Sequence, residues 1–234
     1  MSKSAFIAVL FSYMHVAGFA QGNKATDNKK PVPNADYSRA VRLAASKPDS
    51  ALYYYAQYRI TTSAKDSLVL KKEISFYNNV GSLYLARYMT DSTLYRPDLK
   101  KGLTLLKNVI DIDSTDLQAN FNLMLVYYNN GVWNIIHGDY CKQRELIKNT
   151  DWQQPDSEIP SLVKLLECIK PEEYEKYHIT DPFRTALPFA LRVYRKDPSN
   201  KTVLEALQGI YIALGDEKQS EFYKAKFEKA QRKK

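Results

Sequence analysis

The chain has 234 residues, enough for one or two ordinary domains, and its composition, 44% hydrophobic and 26% charged, is that of a globular protein rather than a disordered or collagen-like one. The formal net charge is +8, but residues 224–234 hold six basic residues and one acidic residue, so this short tail carries +5 of it. Because the basic charge collects in a tail and not over a folded surface, the composition argues against a nucleic-acid-binding protein.

The first twenty residues have the pattern of a secretory signal peptide. A short basic start precedes sixteen uncharged, mainly apolar residues, 5–20, which end in the small residues Gly18 and Ala20. Sixteen residues are short for a membrane span of about 20, so a cleaved signal is favoured over an anchor or a buried helix. The sequence therefore predicts a periplasmic or secreted protein, with no stable membrane insertion once residues 1–20 are removed.

The next segments are a polar linker and then a long helical region. Residues 21–36 contain two prolines and predict a flexible linker. Beyond them apolar residues recur three and four positions apart, which is the period of a helix. The same spacing, with Ser157 as an N-cap, predicts a helix that ends near Ile169. We therefore expect an all-α domain over residues 37–223, followed by the basic C-terminal tail 224–234 as a solvated helix end.

Two stretches of the chain, residues 102–131 and 186–215, align without a gap over 30 residues at an offset of 84. The matched pairs are Leu103 with Leu187, Val109 with Val193, Asp113 with Asp197, Leu123 with Leu207, Tyr127 with Tyr211, and Gly131 with Gly215. Such self-similarity is typical of repeat architectures. Tyr127 is accordingly predicted to pack between helices rather than to contact a ligand.

These stretches resemble tetratricopeptide repeats, whose unit is a pair of helices in 34 residues. The matching motifs are Tyr77-x2-Val80-Gly81-x2-Tyr84 for the first helix, and Ala186-x3-Ala190 with Asp197-Pro198 for the second. The resemblance implies antiparallel helix pairs stacked as a short solenoid. A generic helical bundle with coincident spacing is the alternative.

The chain also departs from the family pattern. No Trp occupies the first position of any match, and Met124 and Gln208 stand where the family has Gly. Residues 90–99 make the spacing between Gly81 and Gly102 longer than the family spacing. They are therefore predicted to form a loop insert. An insertion of about 54 residues, 132–185, separates the two repeats, and a structureless loop of that length is improbable inside a domain. It should therefore carry helices of its own.

The insertion holds both tryptophans, Trp133 and Trp152, and both cysteines, Cys141 and Cys168. In an exported protein two cysteines predict a disulfide, with two unpaired thiols as the alternative. The tryptophans could form a platform for a sugar ring. A glycan-binding site or an unrecognised enzyme site within 132–185 is therefore the alternative function.

Motifs that carry chemistry are scarce. The sequence has no G-x-S-x-G, phosphate-binding loop, H-E-x-x-H or C-x-x-C. Glu175 and His178 are three residues apart and could share a metal, but a real site needs three or four ligands, and a solvated acidic turn is the simpler interpretation. We therefore expect no cofactor, no metal and no catalytic residue.

A solenoid of this family has a concave face lined by its first helices. The positions that the resemblance assigns to that face are Asn78, Ser82, Phe121, Tyr128, Asn129 and Glu205. Their mixture of polar and aromatic groups suits a peptide or protein partner. Packing against the insertion is the alternative role for Phe121 and Tyr128, and a purely structural protein with a closed groove is a third possibility.

Overall fold

The structure is a computed structural model that describes residues 34–63, 66–91, 94, 96–137, 169, 171–176 and 178–232. Within them the chain forms helices and no strand, which confirms the predicted all-α fold. The helices are α1 (Ala35–Leu43), α2 (Pro48–Ile60), α3 (Ser67–Thr90), α4 (Arg96–Ile112), α5 (Leu117–His137), α6 (Pro171–Lys176), α7 (Asp181–Lys196), α8 (Lys201–Ala213) and α9 (Glu217–Arg232). The chain divides into two compact units, 1–113 and 114–234.

The first unit is built from two helical hairpins, α1 with α2 and α3 with α4. Its core is rich in tyrosine: the buried Tyr55 stacks on Phe76, with ring centroids 4.2 Å apart and planes 9° from parallel. Tyr37 and Tyr58 pack at the edge of this pair. Aromatic contacts of this kind add to the free energy gained by burying apolar area, so they hold the first unit together.

Polar contacts connect the helices of the first unit. The buried Tyr84 of α3 donates a hydrogen bond of 2.7 Å to Asp49 of α2, and Lys101 of α4 contacts the same carboxylate oxygen at 2.5 Å. The Lys101 ammonium and the Tyr84 hydroxyl hold the pKa of Asp49 below its usual range. One surface carboxylate thus joins three helices.

Two glycines allow α3 and α4 to lie close together. A methyl group built on Gly102 would lie 2.8 Å from two side-chain carbons of Leu85 and 2.9 Å from the carbonyl oxygen of Gly81. Such distances are too short for any real side chain. The small residues therefore set the separation of the two helices, as the motif predicts for Gly81.

In the second unit α5 packs on α7, α7 on α8 and α8 on α9. Phe183, Leu123 and Leu207 are fully buried there. Tyr127 is half-buried and stacks on Phe189 of α7 with centroids 6.0 Å apart, so it packs between helices as predicted. Within the described residues no helix is both long and apolar enough to cross a membrane.

The two aligned stretches adopt the same local structure. α4 ends at Ile112 and α7 at Lys196, and the following helices begin at Leu117 and Lys201, so both boundaries keep the offset of 84. The N-caps correspond as well. In each, a backbone N–H donates a hydrogen bond to the side chain of the N-cap residue. Ala119 N donates to Asp116 Oδ1 over 2.8 Å, and Val203 N donates to Asn200 Oδ1 over 3.2 Å.

Several predicted boundaries were wrong. α1 begins at Ala35, inside the segment predicted to be a linker, and α4 begins at Arg96, so residues 96–99 are helical and not part of a loop. α5 continues to His137, inside the segment predicted to be the insertion. α9 reaches Arg232, so the basic tail is helical to that residue. The signal peptide, Ser157 and both cysteines lie outside the described residues.

Candidate functional site

Tyr128, one of the predicted site residues, takes part in an aromatic contact between α5 and α7. Tyr128 meets the ring of the fully buried Phe183 edge to face, with centroids 5.9 Å apart. Gly131, one turn further along α5, makes room for that ring, because a methyl group there would lie 2.6 Å from Phe183. Glycine at this position therefore lets Phe183 reach the backbone of α5 and support the Tyr128 ring.

Glu205 of α8 approaches the same tyrosine. Its negative charge and, more strongly, burial raise the pKa of Tyr128 above its usual range, which keeps the phenol protonated as a hydrogen-bond donor. Neighbouring groups exclude enough water from the Glu205 carboxyl to raise its pKa too, although the residue as a whole is exposed. Glu205 therefore lies near enough to Tyr128 for its charge to act on the phenol.

Asn129 stands beside Tyr128 on α5 and is half-buried. Its Nδ2 donates a hydrogen bond of 2.6 Å to the carbonyl oxygen of Leu125, one turn earlier on the same helix. That bond fixes the orientation of the amide. We call the group of Tyr128, Asn129 and Glu205, with Phe183 beneath it, the Tyr128 face.

The other three predicted site residues are buried. Phe121 is 3% exposed on α5, Asn78 is 3% exposed on α3, and Ser82 is 2% exposed on the same helix. Asn78 and Ser82 belong to the first unit, whereas the Tyr128 face belongs to the second. The structure therefore brings together Tyr128, Asn129 and Glu205 from the predicted set.

The predicted insertion holds the candidate disulfide and both tryptophans. Cys141, Cys168 and Trp152 lie outside the described residues, so the disulfide stays a prediction. Trp133 is described and is 50% exposed on α5.

Sequence reasoning missed Phe183, which is the support of the site. It lies three residues before the aligned stretch. The signal that could have indicated it is an aromatic residue on the apolar face of a predicted helix, paired with a glycine on the neighbouring helix. His178, which was weighed as a metal ligand, contacts Asp181 instead, with Nδ1 and Oδ2 3.1 Å apart. No group of three potential metal ligands occurs among the residues that the structure describes.

Comparison with known proteins does not extend this description. No protein-family model, curated protein or solved structure matches the chain. The chemistry of the Tyr128 face and the helical hairpins are therefore the basis for a functional conclusion.

Proposed function

We propose that this chain is an exported binding module of tetratricopeptide-like helical hairpins, which holds a peptide or protein partner against the Tyr128 face in the periplasm or outside the cell. The observation that carries the proposal is the proximity of the exposed Glu205 of α8 to Tyr128 of α5, whose ring packs edge to face on the buried Phe183.

The repeat identity is supported by three features that the aligned stretches share: the helix boundaries, the N-cap bonds and the buried valine pair Val109 and Val193. All three keep the same offset of 84 residues. A bundle with coincident spacing would have no reason to repeat its caps in register, so the repeat interpretation is the better explanation. Export rests on the signal-like pattern of residues 1–20.

The chemistry of the Tyr128 face suits a protein ligand. The exposed carboxylate of Glu205 accepts a hydrogen bond from a peptide N–H or from a cationic side chain. An aromatic ring beside a carboxylate also favours Lys or Arg through cation–π attraction. We therefore expect the partner to present a basic side chain at this face.

Site-specific photocrosslinking tests the proposal. The chain from Gln21 onward carries p-benzoylphenylalanine in place of Glu205, or in place of the exposed Glu221 on α9 as the matched control, and meets solubilised cell envelope or culture medium. We expect a partner that crosslinks from position 205 and not from position 221. Glu205→Gln should weaken binding of that partner at least about five-fold, as for a residue near the centre of an interface.

Identical crosslinked species at both positions, or none, would rule out the Tyr128 face as the binding site. The alternative function has its own outcome in the same experiment. Trp133 is half exposed on α5, so a ligand that is indifferent to Glu205→Gln but lost in Trp133→Ala would favour glycan binding near the insertion.

A further inference from the structure

A shallow depression runs along the outer side of α4 in the first unit. Its volume is about 350 Å³. The described residues that line it, which we call the α4 face, are Arg96, Leu99, Lys100, Leu103, Thr104 and Lys107. They recur three and four positions apart, so they form one continuous stripe. The twelve residues from Arg96 to Lys107 make the stripe roughly 16 Å long.

The α4 face is separate from the face that α4 uses for packing. Gly102, Leu106 and Val109 are buried on the side toward α3. The carboxylate of Asp98 faces the Arg87 guanidinium of α3, with Oδ2 and Nε 3.2 Å apart. The α4 residues that make these contacts are not those of the α4 face.

The α4 face combines positive charge with an apolar floor. Arg96 and Lys100 are exposed and lie one helical turn apart. Leu99 and Leu103 are half-buried and form a second row beside them. None of the described residues that line the depression carries a negative charge. A ligand that complements this pattern is negative along one edge and apolar along the other.

We propose that the α4 face is a second docking surface, distinct from the Tyr128 face, and that it binds an acidic amphipathic helix of a partner protein. Two carboxylates one turn apart on that helix meet Arg96 and Lys100, and its apolar side chains fill the floor over Leu99 and Leu103. The depression has room for two or three such side chains, and the stripe matches about three turns of helix.

The geometry favours a helix over the other anionic ligands. A membrane surface is bound by apolar side chains that protrude, whereas Leu99 and Leu103 are recessed. A nucleic acid is bound by cations that neutralise successive phosphates, and it gains nothing from a leucine floor. Charge complementarity and the apolar row therefore point together to an amphipathic segment.

The test uses the full chain and a defined probe. The probe is a fluorescein-labelled 16-residue helical peptide with Glu at positions 3, 7 and 14 and Leu at positions 6 and 10, which reproduces the spacing of the α4 face. A scrambled peptide of the same composition is the control ligand. We expect fluorescence anisotropy to show binding of the amphipathic peptide and at least ten-fold weaker binding of the scrambled one.

Charge reversal locates the binding site. Arg96→Glu and Lys100→Glu should each weaken the probe at least five-fold, and raising salt from 50 to 200 mM should weaken the wild-type complex. Lys71→Glu, an exposed position on α3, is the matched control and should leave affinity unchanged. Because all three residues are exposed, circular dichroism should show the same helicity in every variant.

Four results would overturn the proposal. The first is equal affinity for the amphipathic and scrambled peptides, and the second is equal loss in the control variant. The third is no binding of the peptide together with binding to vesicles with 20% phosphatidylserine that Arg96→Glu and Lys100→Glu weaken and Lys71→Glu does not, which would assign the face to a membrane. If sedimentation instead showed a dimer that Lys100→Glu dissolves, the occupant would be a second copy of the chain and not an acidic partner.

Discussion

Gly102 lies at a close approach of α3 and α4. A methyl group there would lie 2.8 Å from Leu85 and 2.9 Å from the Gly81 carbonyl oxygen. The leucine could change its rotamer, but the carbonyl belongs to the backbone of α3 and cannot move without shifting the helix. The first unit should therefore tolerate no larger residue at this position.

We expect Gly102→Ala to lower the free energy of unfolding. Overpacking of a tight contact costs about 1–3 kcal/mol, which exceeds the gain of about 1 kcal/mol from the better helix propensity of alanine. Urea titration followed by circular dichroism measures the difference. Thr104→Ala, an exposed position on the same helix, is the control and should change stability by less than about 0.5 kcal/mol. A Gly102→Ala protein as stable as the wild type would show that α3 and α4 can separate freely.

The aligned glycines Gly131 and Gly215 show how equivalent residues acquire different roles. Gly215 ends α8 with a φ of +74° and has no atom near its missing side chain. Gly131 lies inside α5, where its missing side chain makes room for Phe183. Gly215 is therefore needed for its backbone conformation, and Gly131 is needed for the space that it leaves to Phe183.

At the scale of the element, the two equivalent turns depend on their N-caps. Asp116 and Asn200 each accept a hydrogen bond from the backbone N–H three residues later, at Ala119 and Val203. Each bond satisfies one of the N–H groups that a helix leaves unpaired at its start. The caps therefore fix where α5 and α8 begin.

We expect Asp116→Ala and Asn200→Ala each to lower the free energy of unfolding by about 1 kcal/mol. Asn200→Asp, which keeps the acceptor, should be nearly neutral. Thermal and urea denaturation of the three variants measure these effects. If the two alanine variants differed by more than about 1 kcal/mol, which is the size of one cap, the two turns would not be equivalent and the repeat interpretation would weaken.

Helix type was predictable because apolar spacing is a local signal, whereas helix ends were not. The alignment stops at Gly131 and Gly215, so the insertion is predicted to begin directly after Gly131. The structure instead buries Gly131 against Phe183, a contact with a residue 52 positions away that no local pattern indicates. The helical start at Arg96 was missed because the loop insert was inferred from the long spacing between Gly81 and Gly102 alone. Pro97 is compatible with the first turn of a helix.

The candidate site was predictable in part for the same reason. The family pattern assigns positions to a face by helical period alone, and of the residues that it names Glu205 lies near Tyr128. It failed to anticipate the burial of Phe121, Asn78 and Ser82, because burial depends on which helix covers a position. That information is tertiary and does not appear in a single helix's spacing.

At the scale of the whole molecule, each unit buries a core of its own. The first is built around Tyr55, Phe76 and Tyr84, and the second includes Phe183 and Leu207. A chain built of such units loses stability locally, because a substitution weakens chiefly the contacts of the unit that contains it.

Native-state hydrogen exchange tests this separation. In Gly102→Ala, amides of α3 and α4 should exchange about ten-fold faster for each 1.4 kcal/mol of lost stability, while amides of α7 and α8 keep their wild-type rates. Phe183→Leu should do the reverse, since it removes ring contacts only within the second unit. Equal acceleration in all four helices by either variant would mean that the chain opens as one cooperative body. Separate responses would instead mean that a partner bound at the Tyr128 face stabilises the second unit without protecting the α3–α4 hairpin.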